Sequence, residues 1–287
     1  MLIAAVMSLT GHGINYGIDF AGGLNLQYNM GAAYDKADVE EALKAQGIEE
    51  FVVSSVGSDG TTVQIRVPTL SSEDEVQNLQ NGLESALLEK YPDMDTDNAT
   101  ASYVGPVAGA TLVRNAVFSV LIAAALMLIY IAFRFDLFSG IAAVVGLLHD
   151  VLIMIAFMVI LRSVIQMNSS FIAAMLTIVG YSINNTIVIF DRIRENNKKP
   201  ALAGQPRSEI VELSVKESLG RTINTTLTTL VTIVTLYILG VASIREFSLP
   251  IIIGILAGAY SANLINGYVW AALEDARLAR KSQKKAA

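Results

Sequence analysis

Three sets of polar residues stand inside otherwise apolar runs, where their types could do chemistry. His149 and Asp150 sit side by side. A carboxylate at mid-bilayer costs about 2.5–3.5 kcal/mol on insertion scales, so such residues mark a pathway or a packed polar interface. Asp150 therefore reads as a proton-titrating or charge-pairing group, or as a buried carboxylate paired for structure. The second set is Tyr181-Ser182-Ile183-Asn184-Asn185-Thr186. Tyr181 and Asn185 share one helix face at a spacing of four. Hydrogen-bonding glue between helices is the plainer reading of these amides and hydroxyls, since asparagine does not titrate. In the third set Arg221, Thr225, Thr228 and Thr232 form a polar stripe along one face. Such a stripe is expected to point into a bundle or a wet cavity. For Arg221 alone, a snorkelling anchor is the competing account.

These residues need membrane helices to position them. The 287 residues are 53% hydrophobic and 16% charged, well below the charged share of a soluble domain. A net charge of −6 disfavours nucleic acid as a partner. With no cysteine and two histidines, disulfides, zinc clusters, a thiol nucleophile and a His-rich metal centre are not expected. No phosphate loop or nucleophile elbow occurs, so neither a cofactor nor a covalent enzyme is indicated.

Five segments reach the length a bilayer demands: roughly 115–133, 140–161, 171–190, 219–241 and 249–273. The apolar start, residues 1–13, reads as the outer part of a sixth span whose beginning lies outside the sequence. Basic residues concentrate at 191–220 and in the tail 274–287, which places both on the cytoplasmic side. The five-helix bundle then covers 107–273, and residues 14–106 lie outside the membrane as a separate domain. Between Tyr34 and Asn98 stand 15 acids and four bases, a net of −11. The rest of the chain carries +5. An acidic module is thus set into a basic membrane body.

The external module has its own pattern. Leu24, Leu26 and Tyr28 alternate as a half-buried strand, and a short helix follows Asp35. Residues 51–56 and 61–67 read as strands joined by the turn Gly57-Ser58-Asp59-Gly60. Ser72 and Glu75 form a capping box ahead of Val76, Leu79, Leu83 and Leu87 at helical spacing. Residues 99–104 read as a last strand. The order βαββαβ is the ferredoxin-like split motif. Gly254, Gly258 and Ser261 make a small-residue ridge in the last span.

Six ordered motifs resemble the SecD/SecF family of the bacterial protein-export machinery. They are GIDFAGG (17–23), VGP (104–106), LLHDV (147–151), GYSINNTIVIFDRIREN (180–196), RTINTTLTT (221–229) and GILAGAYS (254–261). The 180–196 stretch points to the SecF branch. The resemblance implies a polytopic α-helical membrane protein of the cytoplasmic membrane. Its RND-like half bundle has six spans, the first truncated here, and an α+β ferredoxin-like external domain. It further implies a complex with SecD, association with the SecYEG channel and YajC, and contact with a translocating preprotein. The role implied is coupling of the proton-motive force to the late stage of export. Alternatives are an RND-like exporter half for a lipid or small molecule, and a non-conducting assembly scaffold.

One departure bears on the coupling. Where the family has an aspartate that, with the arginine matching Arg221, is associated with proton conduction, this chain has Asn185. Four accounts stay open: an engineered position, coupling through the SecD carboxylate alone, substitution by Asp150, or a different coupling ion.

Overall fold

The computed structural model describes residues 2–9, 13–56, 60–68, 70, 72–162 and 165–286. Along the chain run α1 (Leu2–Leu9), the single turn α2 (Ile18–Ala21), β1 (Gly23–Asn29), α3 (Lys36–Ala45), β2 (Val52–Val56) and β3 (Thr62–Val67). Then come α4 (Glu73–Lys90), β4 (Asp95–Val104), α5 (Pro106–Arg134), α6 (Leu137–Ile160), α7 (Ser169–Asn196), α8 (Arg207–Leu239) and α9 (Ala242–Ser261). A π-turn (Ala262–Asn266) leads into α10 (Gly267–Ala286). Contacts divide the chain into two units, residues 15–116 with 166–169, and residues 1–14, 117–165 and 170–287.

In the first unit, alternation builds the sheet. Leu24, Leu26 and Tyr28 of β1 and Val63, Ile65 and Val67 of β3 are all fully buried. They face Val39 and Leu43 of α3 and Leu79, Leu83 and Leu87 of α4 in one cluster. Each such side chain contributes about 1.5–3 kcal/mol on burial. The strand order is β2-β3-β1-β4 with antiparallel neighbours throughout, which is the ferredoxin-like arrangement. Asp35 starts α3 by accepting the Ala37 N–H at 3.0 Å. Ser72 starts α4 by accepting the Glu75 N–H at 3.3 Å. β4 begins four residues earlier than its sequence pattern indicates. Gly57, Ser58 and Asp59 of the expected turn lie outside the described residues, as do Met1 and Thr10 of the apolar start.

The paired glycines of GIDFAGG have a local cause. Gly22 and Gly23 hold φ of 79° and 114°, where a side chain is strained. A Cβ on Gly23 would also strike the Val67 carbonyl oxygen. This reversal delivers the chain from α2 into the central strand. Asp19 in the same motif accepts the Ser169 N–H at 2.7 Å, satisfying a free donor of a helix start.

Among the described residues, five helical stretches, mostly in the second unit, are long and apolar enough to cross a membrane: 108–134, 137–160, 169–196, 207–239 and 244–280. They exceed the expected spans at most ends. The 191–220 connection is mostly helix, because α7 runs to Asn196 and α8 starts at Arg207. Amphipathic turns extend both helices beyond their apolar cores, with Ile193, Ile210 and Val211 buried. Between α5 and α6 only Phe135 and Asp136 remain, and Asp136 accepts from Ser139 N at 2.9 Å and Ser139 Oγ at 2.7 Å. Arg245 closes α8, donating to the carbonyls of Gly240 at 2.9 Å and Ile238 at 3.2 Å. The eight-residue α1 packs Ala4 against Ala156 and Val159 of α6.

A clasp between α3 and the end of α4 yields a pH prediction. Asp38 accepts from Tyr91 OH at 2.6 Å and pairs with Lys90 at 3.0 Å. The phenol first, then the ammonium, holds the Asp38 carboxyl below its ordinary value of 3.8. A folded-state pKa below the unfolded one adds stability that is full above the ordinary value. That stability is lost as pH falls through the lowered one. In the full chain, unfolding of this unit followed through the Leu43 and Leu83 methyl signals should show that acid loss. Asp38→Asn should flatten it.

Candidate functional site

Asp150 stands 13 residues into α6, about 20 Å along its axis from Leu137, and has no solvent exposure. Its Oδ2 accepts from Ser182 Oγ of α7 at 2.5 Å and from Ser261 Oγ of α9 at 2.9 Å. Its Oδ1 lies 3.0 Å from His149 Nδ1. The imidazole is a quarter exposed and stacks on Tyr260, ring centroids 5.7 Å apart. One carboxylate thus joins three helices. Burying a charge in an apolar bundle is tolerable only with such a shell of donors.

The small residues let the helices come close enough. A Cβ on Gly254 would crowd Ile178 at 2.5 Å, and one on Gly258 would meet Ser182 Cβ at 3.1 Å. The glycine ridge therefore seats α9 on α7 and brings Ser261 to Asp150. Directly after Ser261 the helix widens into the π-turn, a form that often accompanies functional sites. It swings Asn266 inward, where Nδ2 donates to Thr186 Oγ1 at 2.7 Å. Thr186 Oγ1 donates in turn to the Ser182 carbonyl at 3.0 Å. Gly146 leaves the room for this, since a Cβ there would collide with Asn266 Oδ1.

The other expected residues divide between two further places. Tyr181 OH donates to Thr226 Oγ1 at 3.4 Å, tying α7 to α8. Asn185 is 1% exposed and its Nδ2 has no hydrogen-bond partner among the described residues. Asn184 is exposed and lines a groove between α5 and α7. The expected stripe on α8 does not point into this chain's bundle: Arg221, Thr228 and Thr232 are exposed and Thr225 is half-buried. Thr228 and Thr232 return their hydroxyls to carbonyls of their own helix at 3.0 and 3.1 Å. Nor do Asn185 and Arg221 form a hydrogen bond. Among the described residues Arg221 and the exposed Asn224 side chain have no partner.

The buried face of α8 is a different line, Ser214, Ser218, Thr222 and Thr226. Thr222 Oγ1 donates to Asn263 Oδ1 at 3.2 Å. Sequence reasoning missed Thr222, Thr226, Asn263 and Asn266. The signals were an uninterrupted spacing of four from Ser214 and two asparagines three residues apart after Ser261. If Asp150 is the clasp of α6, α7 and α9, Asp150→Ala leaves Ser182, Ser261 and His149 without their acceptor. It should cost about 3 kcal/mol or more, read as a lower thermal midpoint of the full chain in detergent.

Comparison with known proteins identifies the family. Residues 84–276 match the family described as protein export membrane protein SecD/SecF, C-terminal. Residues 8–30 match the SecD/SecF GG motif, which holds the turn at Gly22 and Gly23. Protein translocase subunit SecF of Rickettsia bellii is 36% identical over 252 residues, covering 88% of this chain and 81% of the relative. The subunit of the same name from Alicyclobacillus acidocaldarius is 35% identical over 288 residues, covering 99% of this chain and 89% of the relative. The crystal structure of SecDF from Thermus thermophilus, a translocon-associated membrane protein, superposes with a TM-score of 0.77 at 35% identity. It is covered by 96% of this chain, which spans 36% of that longer chain. A second SecDF structure, in a super-membrane-facing form, gives a TM-score of 0.66 at 32% identity, with 99% of this chain on 38% of it. The chain belongs to the SecD/SecF family of protein export membrane proteins.

Proposed function

We propose that the chain is a SecF-type subunit of the Sec preprotein translocase, working with SecD to couple the proton-motive force to late-stage export. One observation carries the reading. On the outer face of α8, Arg221 and Asn224 have no partner among the described residues. Hydrocarbon cannot satisfy such groups. A second helical body carrying acceptors, a carboxylate among them, belongs against this face. SecD is that body: the matched SecDF chains are nearly three times the length that this chain covers, and the curated relatives carry the name SecF. The same names do not favour a lipid or small-molecule exporter.

In this arrangement the titrating carboxylate comes from SecD and faces Arg221, while Asn185 stays buried within this chain and carries no proton. Asp150 and His149 form the internal clasp behind that face, and Tyr181, Ser182, Thr186 and Thr226 hold its helices in register. The role is mechanical transport, without a cofactor or covalent chemistry of its own. The chain resides in the bacterial cytoplasmic membrane with residues 14–106 outside and the basic ends inside. SecYEG, YajC and the emerging preprotein complete the set of partners.

Export of a preprotein into vesicles, with and without a proton gradient, tests the coupling. Arg221→Ala should remove the gradient-dependent increment by about tenfold or more, the worth of one charge-assisted hydrogen bond, while leaving the folded yield intact. Asn185→Asp should alter proton flux measured in the same vesicles. Silence of both variants would sink coupling through this face. Failure of the tagged chain to co-purify with SecD would sink the partnership.

A further inference from the structure

A groove of about 440 Å³ runs between α5 and α7, lined by Leu126, Met127, Tyr130, Gly180, Ile183, Asn184 and Ile187. α5 buries little of itself against the rest of the chain, so its apolar face, Leu126 and Tyr130 included, is open. Gly180 adds depth, because a Cβ there would meet nothing within 4 Å. Four residues beyond Tyr130, α5 ends on Arg134, and seven residues beyond Ile187, α7 carries Arg194. The two arginines meet: Arg194 Nη1 donates to the Arg134 carbonyl at 3.5 Å. Both are largely exposed. Among the described residues a single carboxylate, Asp191, stands by Arg134 at 3.8 Å, and Arg194 makes no ion pair. Two guanidinium groups against one loosely held carboxylate leave a net positive charge at the groove's end.

We infer that this groove and the Arg134–Arg194 pair form a binding site for an anionic phospholipid. The heights agree. At 1.5 Å per residue, Tyr130 lies about 6 Å inward of the arginines, Ile187 about 10 Å and Gly180 about 21 Å. A phosphate at the arginines puts the ester carbonyls level with the Tyr130 hydroxyl, which has no partner among the described residues. An acyl chain then has about 15 Å of groove, half the thickness of a hydrocarbon core. Guanidinium groups recognise phosphate with paired N–H donors, and a diester carries the one negative charge that complements the site. A partner helix bonded to Asn184 is the competing occupant, but it would leave the arginine pair uncompensated. The site is independent of the translocase reading, since the lipid is held rather than moved.

The test is native mass spectrometry of the full chain, purified with its partners and incubated with equimolar phosphatidylglycerol and phosphatidylcholine. The wild type should retain one phosphatidylglycerol in preference to phosphatidylcholine. Arg134→Gln with Arg194→Gln should reduce that retention by roughly tenfold or more. Gly180→Leu changes no charge, fills the groove and should reduce it likewise. Arg192→Gln is the control, because Arg192 is already paired with Glu195 and Glu217 at 2.6 and 2.8 Å. Unchanged retention in the double arginine variant, or in Gly180→Leu, overturns the site. So does a Gly180→Leu protein that loses its membrane partner while keeping the lipid.

Discussion

A carboxylate in an apolar helical bundle is the constraint around which the membrane unit is arranged. Asp150 remains there because three side chains from its surroundings bond its oxygens. Each of those side chains needs its helix at one height and one rotation. Ser182 fixes α7, Ser261 fixes α9, and the neighbouring His149 fixes the ring face towards Tyr260. The glycines at 146, 254 and 258 follow from the same demand, since polar groups this short bridge helices only where backbones approach closely. The π-turn after Ser261 lets one helix satisfy Asp150 and then turn Asn266 to Thr186.

The polar groups of the bundle therefore serve two separate purposes. Those around Asp150 are bonded to one another and close the interior. Arg221 and Asn224 on α8 face outward, and the buried Asn185 amide stays unsatisfied within this chain. A membrane protein that folds as one half of a pair has to leave such groups open, because their partners arrive on another body. The α+β unit is built differently. Its sheet has an apolar cluster on one side, and residues 34–98 carry a net charge of −11.

Much was legible in the sequence because the signals were local. Alternation at Leu24, Leu26 and Tyr28, the caps at Asp35 and Ser72, and apolar runs of spanning length each depend on neighbours within a few residues. The split βαββαβ order followed from strand and helix succession, and the sheet order β2-β3-β1-β4 agrees with it. Helix ends were less legible. The turns of α7 and α8 beside the 191–220 connection are amphipathic rather than apolar, so hydropathy stopped short of them.

By itself the sequence determined that Asp150, Asn185 and Arg221 lie in or beside apolar spans and must each be accounted for. It could not determine which of them meet. A helix presents neighbouring faces only 100° apart, so a shift of one residue separates the Arg221 stripe from the buried Ser214–Thr226 line. Tertiary packing chose between them: it turned Thr222 and Thr226 inward and Arg221 outward. It also closed Asp150 with Ser261, 111 residues away, through close helix approach that spacing along one chain does not encode.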